Sequence, residues 1–295
     1  MVALRLDGRE IAAQVRAEMQ EEVARLKSEH DLVPGLAVVL VGENPASLSY
    51  VRSKTQACQE LGMHSLQLDF PASLSTDDLL ETIGELNADA DIHGILVQLP
   101  LPGQDEQRVL NALSPAKDVD GLHPVNMGRL LRGEEGVWPC TPHGVLQILQ
   151  RSHIEVAGRH AVVVGRSALV GRPVANLLAQ KMEGGNATVT MCHTGTRDLG
   201  HFTRQADILV VAAGQPAAIT ADMVGEGAVV IDVGVNRIDD SSRERGWRLV
   251  GDVDYPEVRK KASAITPVPN GVGPMTIAML LYNTIEAAKR IRGLR

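Results

Sequence analysis

Apolar positions along the chain follow two spacings in turn. Over residues 9–29, Ile11, Val15, Met19, Val23 and Leu26 recur every three or four positions between charged residues, which predicts an amphipathic helix packing one face. Residues 35–41 (GLAVVLV) then form a short, β-branched apolar run suited to a strand buried on both faces, and residues 47–61 return to helical spacing. A strand follows at 65–70, a helix at 75–87 opened by Ser75 and an acidic first turn, and a third strand at 94–99 (GILVQL). From Leu99 to Pro142 the periodicity breaks into segments rich in Pro, Gly and Asp (LPLPGQD, SPAKDVDGLHPVN, RGEEG, PCTP), predicting long functional loops and a crossing between domains. Strands at 160–164 and 187–191 flanking a helix at 174–182 resume the alternation, with further buried strands at 207–211, 228–233 and 264–266. Residues 273–291 close as a long helix with Pro274 in its first turn, expected to return to the first domain. The fold class is α/β, with a doubly wound second half and no internal repeat.

Composition narrows the partners. At 295 residues, 44% hydrophobic and 22% charged, the chain has material for two ordinary globular domains. Its 29 basic and 36 acidic residues leave a net charge of −7, and aromatics are 2%, so there is neither a basic field nor a set of stacking platforms for nucleic acid. Cys58, Cys140 and Cys192 are odd in number and without Cys-x-x-Cys spacing, which speaks against a disulfide framework, against a structural metal, and for a reducing, cytoplasmic location. No signal-type segment opens the chain, and even the apolar stretch 277–281 is soon followed by Asn283 and Glu286, so no membrane span is expected.

Three groups of residues suggest chemistry. After the strand HAVVV, Gly165, Arg166 and Ser167 open the loop GRSALVGRP before a helix, where backbone N–H groups and a helix N-terminus can receive a pyrophosphate; a glycine-rich turn without ligand is the plainer alternative. The next strand ends in MCHTGTR with no acid to meet a ribose 2′-hydroxyl, while Arg166 and Arg197 can meet a 2′-phosphate, favouring NADP over NAD. Tyr50 and Lys54 are four apart on one helical face, either sharing a site or forming a solvated lysine beside a half-buried tyrosine. Gln98 stands at a strand's carboxyl end, where ligands gather in open α/β sheets. Asp118 and Asp120 form either a functional pair or a turn and cap, and with no His or Cys cluster nearby they do not suggest a metal.

The ordered series YVRSK, VQLPLP, KDVDG, PCTPHG, VVVGRSALVGRP, AAGQP, IDVGVN, GDVDY and PVPNGVGPMT resembles the bifunctional methylenetetrahydrofolate dehydrogenase/methenyltetrahydrofolate cyclohydrolase family over essentially the whole chain. The resemblance implies oxidation of 5,10-methylenetetrahydrofolate with NADP and hydrolysis of the methenyl product to 10-formyltetrahydrofolate, in a homodimer. It makes Lys54 the catalytic lysine, Tyr50 the tyrosine that stacks on the folate, Gln98 the lysine's partner and Asp120 the pterin-holding aspartate. Gly165, Arg166, Ser167 and Thr194 become cofactor contacts, Val235 the backbone at the nicotinamide end, and Pro269, Gly273 and Pro274 part of the folate lining. Two positions depart from the family pattern: Thr194-Gly195 replaces Ser followed by Arg or Lys, removing one 2′-phosphate partner, and Asn270 replaces a glycine in a loop where asparagine tolerates left-handed backbone.

The expected architecture is therefore a folate-binding catalytic domain of residues 1–139 plus 277–295, a Rossmann-like NADP domain of residues 140–276, and an active site in the cleft between them. Two other readings are a shikimate-type dehydrogenase, against which VQLPLP and KDVDG stand, and a non-catalytic nucleotide-sensing protein, against which Tyr50, Lys54 and Asp120 stand.

Overall fold

A computed structural model describes residues 2–294, apart from the side chain of residue 46. In chain order its first half comprises β1 (Leu4–Arg5), α1 (Gly8–His30), β2 (Gly35–Val41), α2 (Pro45–Glu60), β3 (His64–Phe70), α3 (Thr76–Ala88), β4 (Gly94–Val97), α4 (Glu106–Ala112) and α5 (Pro124–Arg132). There follow α6 (Cys140–Arg151), β5 (His160–Val164), α7 (Gly171–Ala179), β6 (Thr188–Cys192), α8 (Leu199–Thr203), β7 (Ile208–Val211) and β8 (Val229–Asp232). The chain ends with β9 (Asn236–Asp239), β10 (Trp247–Val250), α9 (Tyr255–Val258), β11 (Ala264–Ile265) and α10 (Val272–Ile291). Contacts divide it into two compact units, Met1–Ala13 with Thr141–Thr276, and Gln14–Cys140 with Ile277–Arg295.

The unit of Gln14–Cys140 and Ile277–Arg295 is built on a parallel sheet in the order β3-β2-β4. Every residue of β2 is buried, as its uninterrupted apolar run requires. Ala37, Val39 and Val41 on one face of β2 meet Ile95 and Val97 of β4 and the α3 stripe Leu79, Ile83 and Leu86. Helix α3 starts where expected, because the Ser75 hydroxyl accepts the Asp78 N–H at 3.1 Å. The chain leaves β2 for β3 on one side and returns to β4 on the other, so the carboxyl ends of β2 and β4 flank a point of strand-order reversal. Next to β4, Asp118 bridges to Ile95, which lays the KDVDG segment along the strand. Residues of α10 in this unit are tied to that segment: Asn283 Nδ2 donates to Val119 O at 2.9 Å and to Trp138 O at 3.0 Å.

The other unit carries an all-parallel sheet in the order β1-β11-β8-β7-β5-β6. Its core joins Val162, Val164, Leu209, Val211, Val230 and Ile265. The order reverses between β5 and β7, the doubly wound arrangement whose ligand crevice lies at those strands' carboxyl ends. The short strand β1, too brief to show a sequence period, pairs Leu4 with Ala264 and Arg5 with Ile265, so the chain's first residues complete this sheet.

Two local expectations change. The stretch expected to be loops holds α4 and α5, because polar signals that read as turns act as caps. Asp105 accepts the Arg108 N–H, and His123 accepts the Val125 N–H ahead of Pro124 in the first turn. Helix α7 begins at Gly171 rather than at 174, since Pro173 falls in a first turn whose N–H groups need no helical partner.

Candidate active site

In the unit built on β2 to β4, Lys54 sits on α2, the helix that follows β2, and its side chain is drawn inward until the residue is 8% exposed. Its Nζ donates to Gln98 Oε1 at 3.0 Å. Gln98 is positioned by the end of β4: its own N–H donates to Val39 O at 2.9 Å, and its Nε2 donates to Leu99 O at 2.7 Å. That second bond fixes the amide so that Oε1, and not NH2, faces the lysine. The solvated-lysine reading of residue 54 is therefore set aside. Tyr50, one turn earlier on α2, remains 42% exposed, leaving its ring face available for stacking.

Asp118 and Asp120 separate into different roles. Asp118 is fully buried and accepts from Leu122 N, His123 N and Asn126 Nδ2, which makes it the brace of its loop. Asp120 is half-buried and lies beside the Cys140 thiol. Burial pushes that thiol well up, Asp120 adds to the shift and Lys54 opposes it, so the lysine and Asp120 both act on one buried sulfur. Lys54 and Gln98 thus meet at the carboxyl end of β4, and Asp120 follows Asp118 in the segment laid along the same strand. Among the described residues no group of three or more His, Cys, Asp or Glu could hold a metal ion.

In the six-stranded unit, Gly165 ends β5 at φ +130°, and a Cβ there would overlap Ala212 O at the end of β7. Only glycine fits this close approach. The loop then exposes Arg166 and Ser167, and the Ser167 hydroxyl accepts Val170 N at 3.1 Å and Gly171 N at 3.4 Å at the start of α7. A tight glycine turn feeding a helix N-terminus at the strand-order reversal is a cradle that fits a dinucleotide pyrophosphate. Thr194 is exposed in the turn after β6, which His193 and Thr196 stabilise through the Thr196 hydroxyl and the His193 N–H. Val235 is 49% exposed after β8. Pro269 is exposed, Gly273 and Pro274 are half-buried, and Asn270 adopts φ +78°, the left-handed backbone that its place in the loop demands.

Two acids escaped the sequence reading. Asp232 and Asp252 are 2% and 0% exposed and together accept six N–H groups at the carboxyl ends of β7 and β8. Their signal was Gly234, two residues after Asp232 in DVG, and Gly251, just before Asp252 in GD, each letting its backbone approach the other acid's carboxylate closely.

Comparison with known proteins identifies the family. Residues 6–120 match the family model "Tetrahydrofolate dehydrogenase/cyclohydrolase, catalytic domain", and residues 139–292 match "Tetrahydrofolate dehydrogenase/cyclohydrolase, NAD(P)-binding domain". The chain belongs to the tetrahydrofolate dehydrogenase/cyclohydrolase family. Within that family it is 58% identical to the bifunctional protein FolD of Dehalococcoides mccartyi strain CBDB1 over 98% of each chain. The FolD methylenetetrahydrofolate dehydrogenase/cyclohydrolase of Campylobacter jejuni shares 48% identity and superposes with a TM-score of 0.92, covering 98% of this chain and 99% of that one. The Trypanosoma brucei FolD, solved with NADP cofactor and inhibitor, shares 40% identity with a TM-score of 0.93 and 99% coverage of both chains.

Proposed function

We propose that Lys54, held by Gln98, is the proton carrier of this tetrahydrofolate dehydrogenase/cyclohydrolase, with Tyr50 and Asp120 orienting the folate and the Gly165–Ser167 turn holding NADP. The enzyme oxidises 5,10-methylenetetrahydrofolate to the methenyl form and hydrolyses that to 10-formyltetrahydrofolate. NADP is its cofactor, and when bound it supplies the hydride acceptor.

The bridging carbon of the substrate lies between two nitrogens whose lone pairs stabilise the cation left by hydride loss, so the oxidation needs orientation more than a base. Tyr50 offers a ring face and Asp120 an acceptor for that purpose. Hydrolysis is different. Water adds to the methenyl carbon and loses a proton, and a proton is then delivered to the ring nitrogen that departs as the ring opens. The 3.0 Å bond from Lys54 Nζ to Gln98 Oε1 carries this reading. An amine can donate to that oxygen whether it is charged or neutral, so Gln98 holds Nζ in place through the proton cycle without adding a charge of its own.

Gly165, Arg166 and Ser167 would hold the cofactor's phosphates, with Arg166 and Thr194 serving the 2′-phosphate of NADP; the Val235 backbone would receive the nicotinamide end, and Pro269, Gly273 and Pro274 would line the folate. The unit of residues 14–140 with 277–295 serves the folate and the unit of residues 141–276 the cofactor, residues 1–13 falling with the cofactor unit through β1 rather than with the folate unit, in a cytoplasmic homodimer. Among the described residues no helix is long and apolar enough to cross a membrane.

The test is the initial rate with 5,10-methylenetetrahydrofolate and saturating NADP or NAD, following reduced nicotinamide and methenyl product together. Turnover with NADP and hydrolysis of added methenyltetrahydrofolate are expected. Folded protein that binds NADP and turns over neither folate would instead support the nucleotide-sensing reading, and turnover of shikimate alone would support the other dehydrogenase.

A further inference from the structure

The loops after β7 and β8 are joined through one carboxylate. Asp252 is fully buried, and its Oδ2 accepts the successive N–H groups of Ala213 and Gly214 at 2.7 and 2.8 Å. Its Oδ1 accepts Asn236 Nδ2 at 2.7 Å. The first two donors belong to the AAGQP loop after β7, and the third belongs to the VGVN segment after β8. Val235, whose backbone is assigned above to the nicotinamide end, lies between Gly234 and Asn236.

A second carboxylate secures the first. Asp232 Oδ1 accepts Gly234 N at 3.0 Å and Asp252 N at 2.9 Å, and its Oδ2 accepts Val253 N at 3.0 Å. Side chains are excluded at the two contact points, because a Cβ at Gly234 would overlap the Asp252 carboxylate and one at Gly251 that of Asp232. Two acids packed together in a dry site are costly, and burial with the neighbouring Asp252 charge raises Asp232 to about 7. Closing two loops would not require that cost, since backbone or neutral side-chain bonds suffice. What a carboxylate adds is the ability to accept from three donors on two loops at once, fixing both in one arrangement.

We infer that Asp252 is a positioning residue for hydride transfer: by clamping the loops after β7 and β8 it sets the backbone that receives the nicotinamide end of NADP, and Asp232 holds Asp252 in place. This rests on the cofactor reading given above. It makes a prediction that a purely structural acid does not. Dehydrogenase turnover depends on the clamp, whereas hydrolysis of methenyltetrahydrofolate, which needs no nicotinamide, does not.

The experiment compares the wild-type enzyme with Asp252→Ala, Asp252→Asn and Asn236→Ala in both assays, with KM for NADP measured in each. With three donors deprived of a charged acceptor, Asp252→Ala is expected to lose about 30-fold or more in dehydrogenase kcat/KM, with a raised KM for NADP and cyclohydrolase within about twofold of wild type. Asp252→Asn should recover most of the loss, because the amide oxygen still accepts from Ala213 and Gly214 and Asn236 can turn its own oxygen to the new NH2. Asn236→Ala removes one donor and should show the same split at a smaller size, about fivefold.

Wild-type dehydrogenase kinetics in Asp252→Ala, or equal falls of both activities across the variants, would overturn the inference. If Asp252→Ala does not fold, Asn236→Ala decides, and its unchanged dehydrogenase would be equally fatal. A wild-type enzyme inactive in both assays would bring down the underlying reading instead, so the two failures are distinct.

Discussion

At the scale of single residues, what matters is which side chains end next to one another. The Tyr50–Lys54 spacing was visible as one helical face, but the partner of Lys54 lies 44 positions away on a strand end, and no local period announces a contact of that range. Only the resemblance of the ordered motifs paired Lys54 with Gln98, and the 3.0 Å bond realises the pairing. Asp118 and Asp120 looked alike in sequence and diverge because one is packed under Leu122 and His123 while the other stays half-buried. Two substitutions test the residue roles. Lys54→Gln keeps a polar side chain beside Gln98, one atom shorter, but has no amine to take up and release a proton, so cyclohydrolase should fall by about 100-fold or more while the melting temperature and NADP affinity stay at wild-type values. Undiminished methenyl hydrolysis would remove Lys54 from the mechanism. Arg166→Ala deletes an exposed guanidinium from the turn proposed to hold the cofactor. NADP should bind about tenfold or more weaker and NAD within about twofold of wild type in fluorescence titrations, since only NADP carries the extra phosphate. Equal losses would place the 2′-phosphate elsewhere.

At the scale of elements, burial on both faces was the legible signal. The runs GLAVVLV and HAVVV became β2 and β5 without a shift in either boundary, because a continuous β-branched segment has few other ways to bury itself. Less legible were α4 and α5, seven and nine residues long, whose capping residues carry the same chemistry as turns. The pair β9 and β10 was missed for a related reason: NRID and WRLV are short, half-exposed and charged, and the hairpin gains its Trp247 packing from Arg237 and Arg245, whose guanidinium groups lie 4.6 and 4.1 Å from the ring centre. Where a cap was recognised, its worth is measurable. Ser75 accepts Asp78 N and donates to Asp78 Oδ2 at 2.8 Å, anchoring the first turn of α3 under the buried stripe Leu79, Ile83 and Leu86. Ser75→Ala should therefore cost about 1 kcal/mol. A fall of about 2 to 4 °C in the melting temperature follows, with both activities unchanged. An unaltered melting curve would mean that water or a neighbouring group replaces the cap.

At the scale of the whole molecule, buried titratable groups decide how stability responds to pH. His143 on α6, within PCTPHG, is 6% exposed, and burial lowers its pKa from 6.5 to about 4. In the unfolded chain it takes up a proton near 6.5, while in the folded chain it stays neutral until about 4. Acidification across that window therefore favours unfolding, and stability that is complete above about pH 6.5 is lost progressively down to about 4. At about 1.4 kcal/mol per unit, the loss between pH 6.5 and 4.5 is about 2 to 3 kcal/mol from this residue alone. His93 acts in the same direction, lowered chiefly by burial and by the nearby Lys117 charge. Asp232 acts in the opposite direction: with its folded pKa raised to about 7, the folded state holds a proton that the unfolded state has released, so its contribution improves as pH falls from 7 towards 3.8. The net slope mixes these effects, but a single substitution separates them. His143→Leu cannot take up a proton, so its urea midpoint should decline less steeply between pH 7 and 4.5 than that of the wild type, the two curves diverging below about pH 6.5. Parallel curves throughout that range would show that His143 titrates alike in both states, and the acid sensitivity of the fold would then have to come from His93 and from carboxylates such as Glu22, whose pKa the Arg25 and Lys289 side chains lower to about 2 and which loses stability as pH falls from 4.5 towards that value.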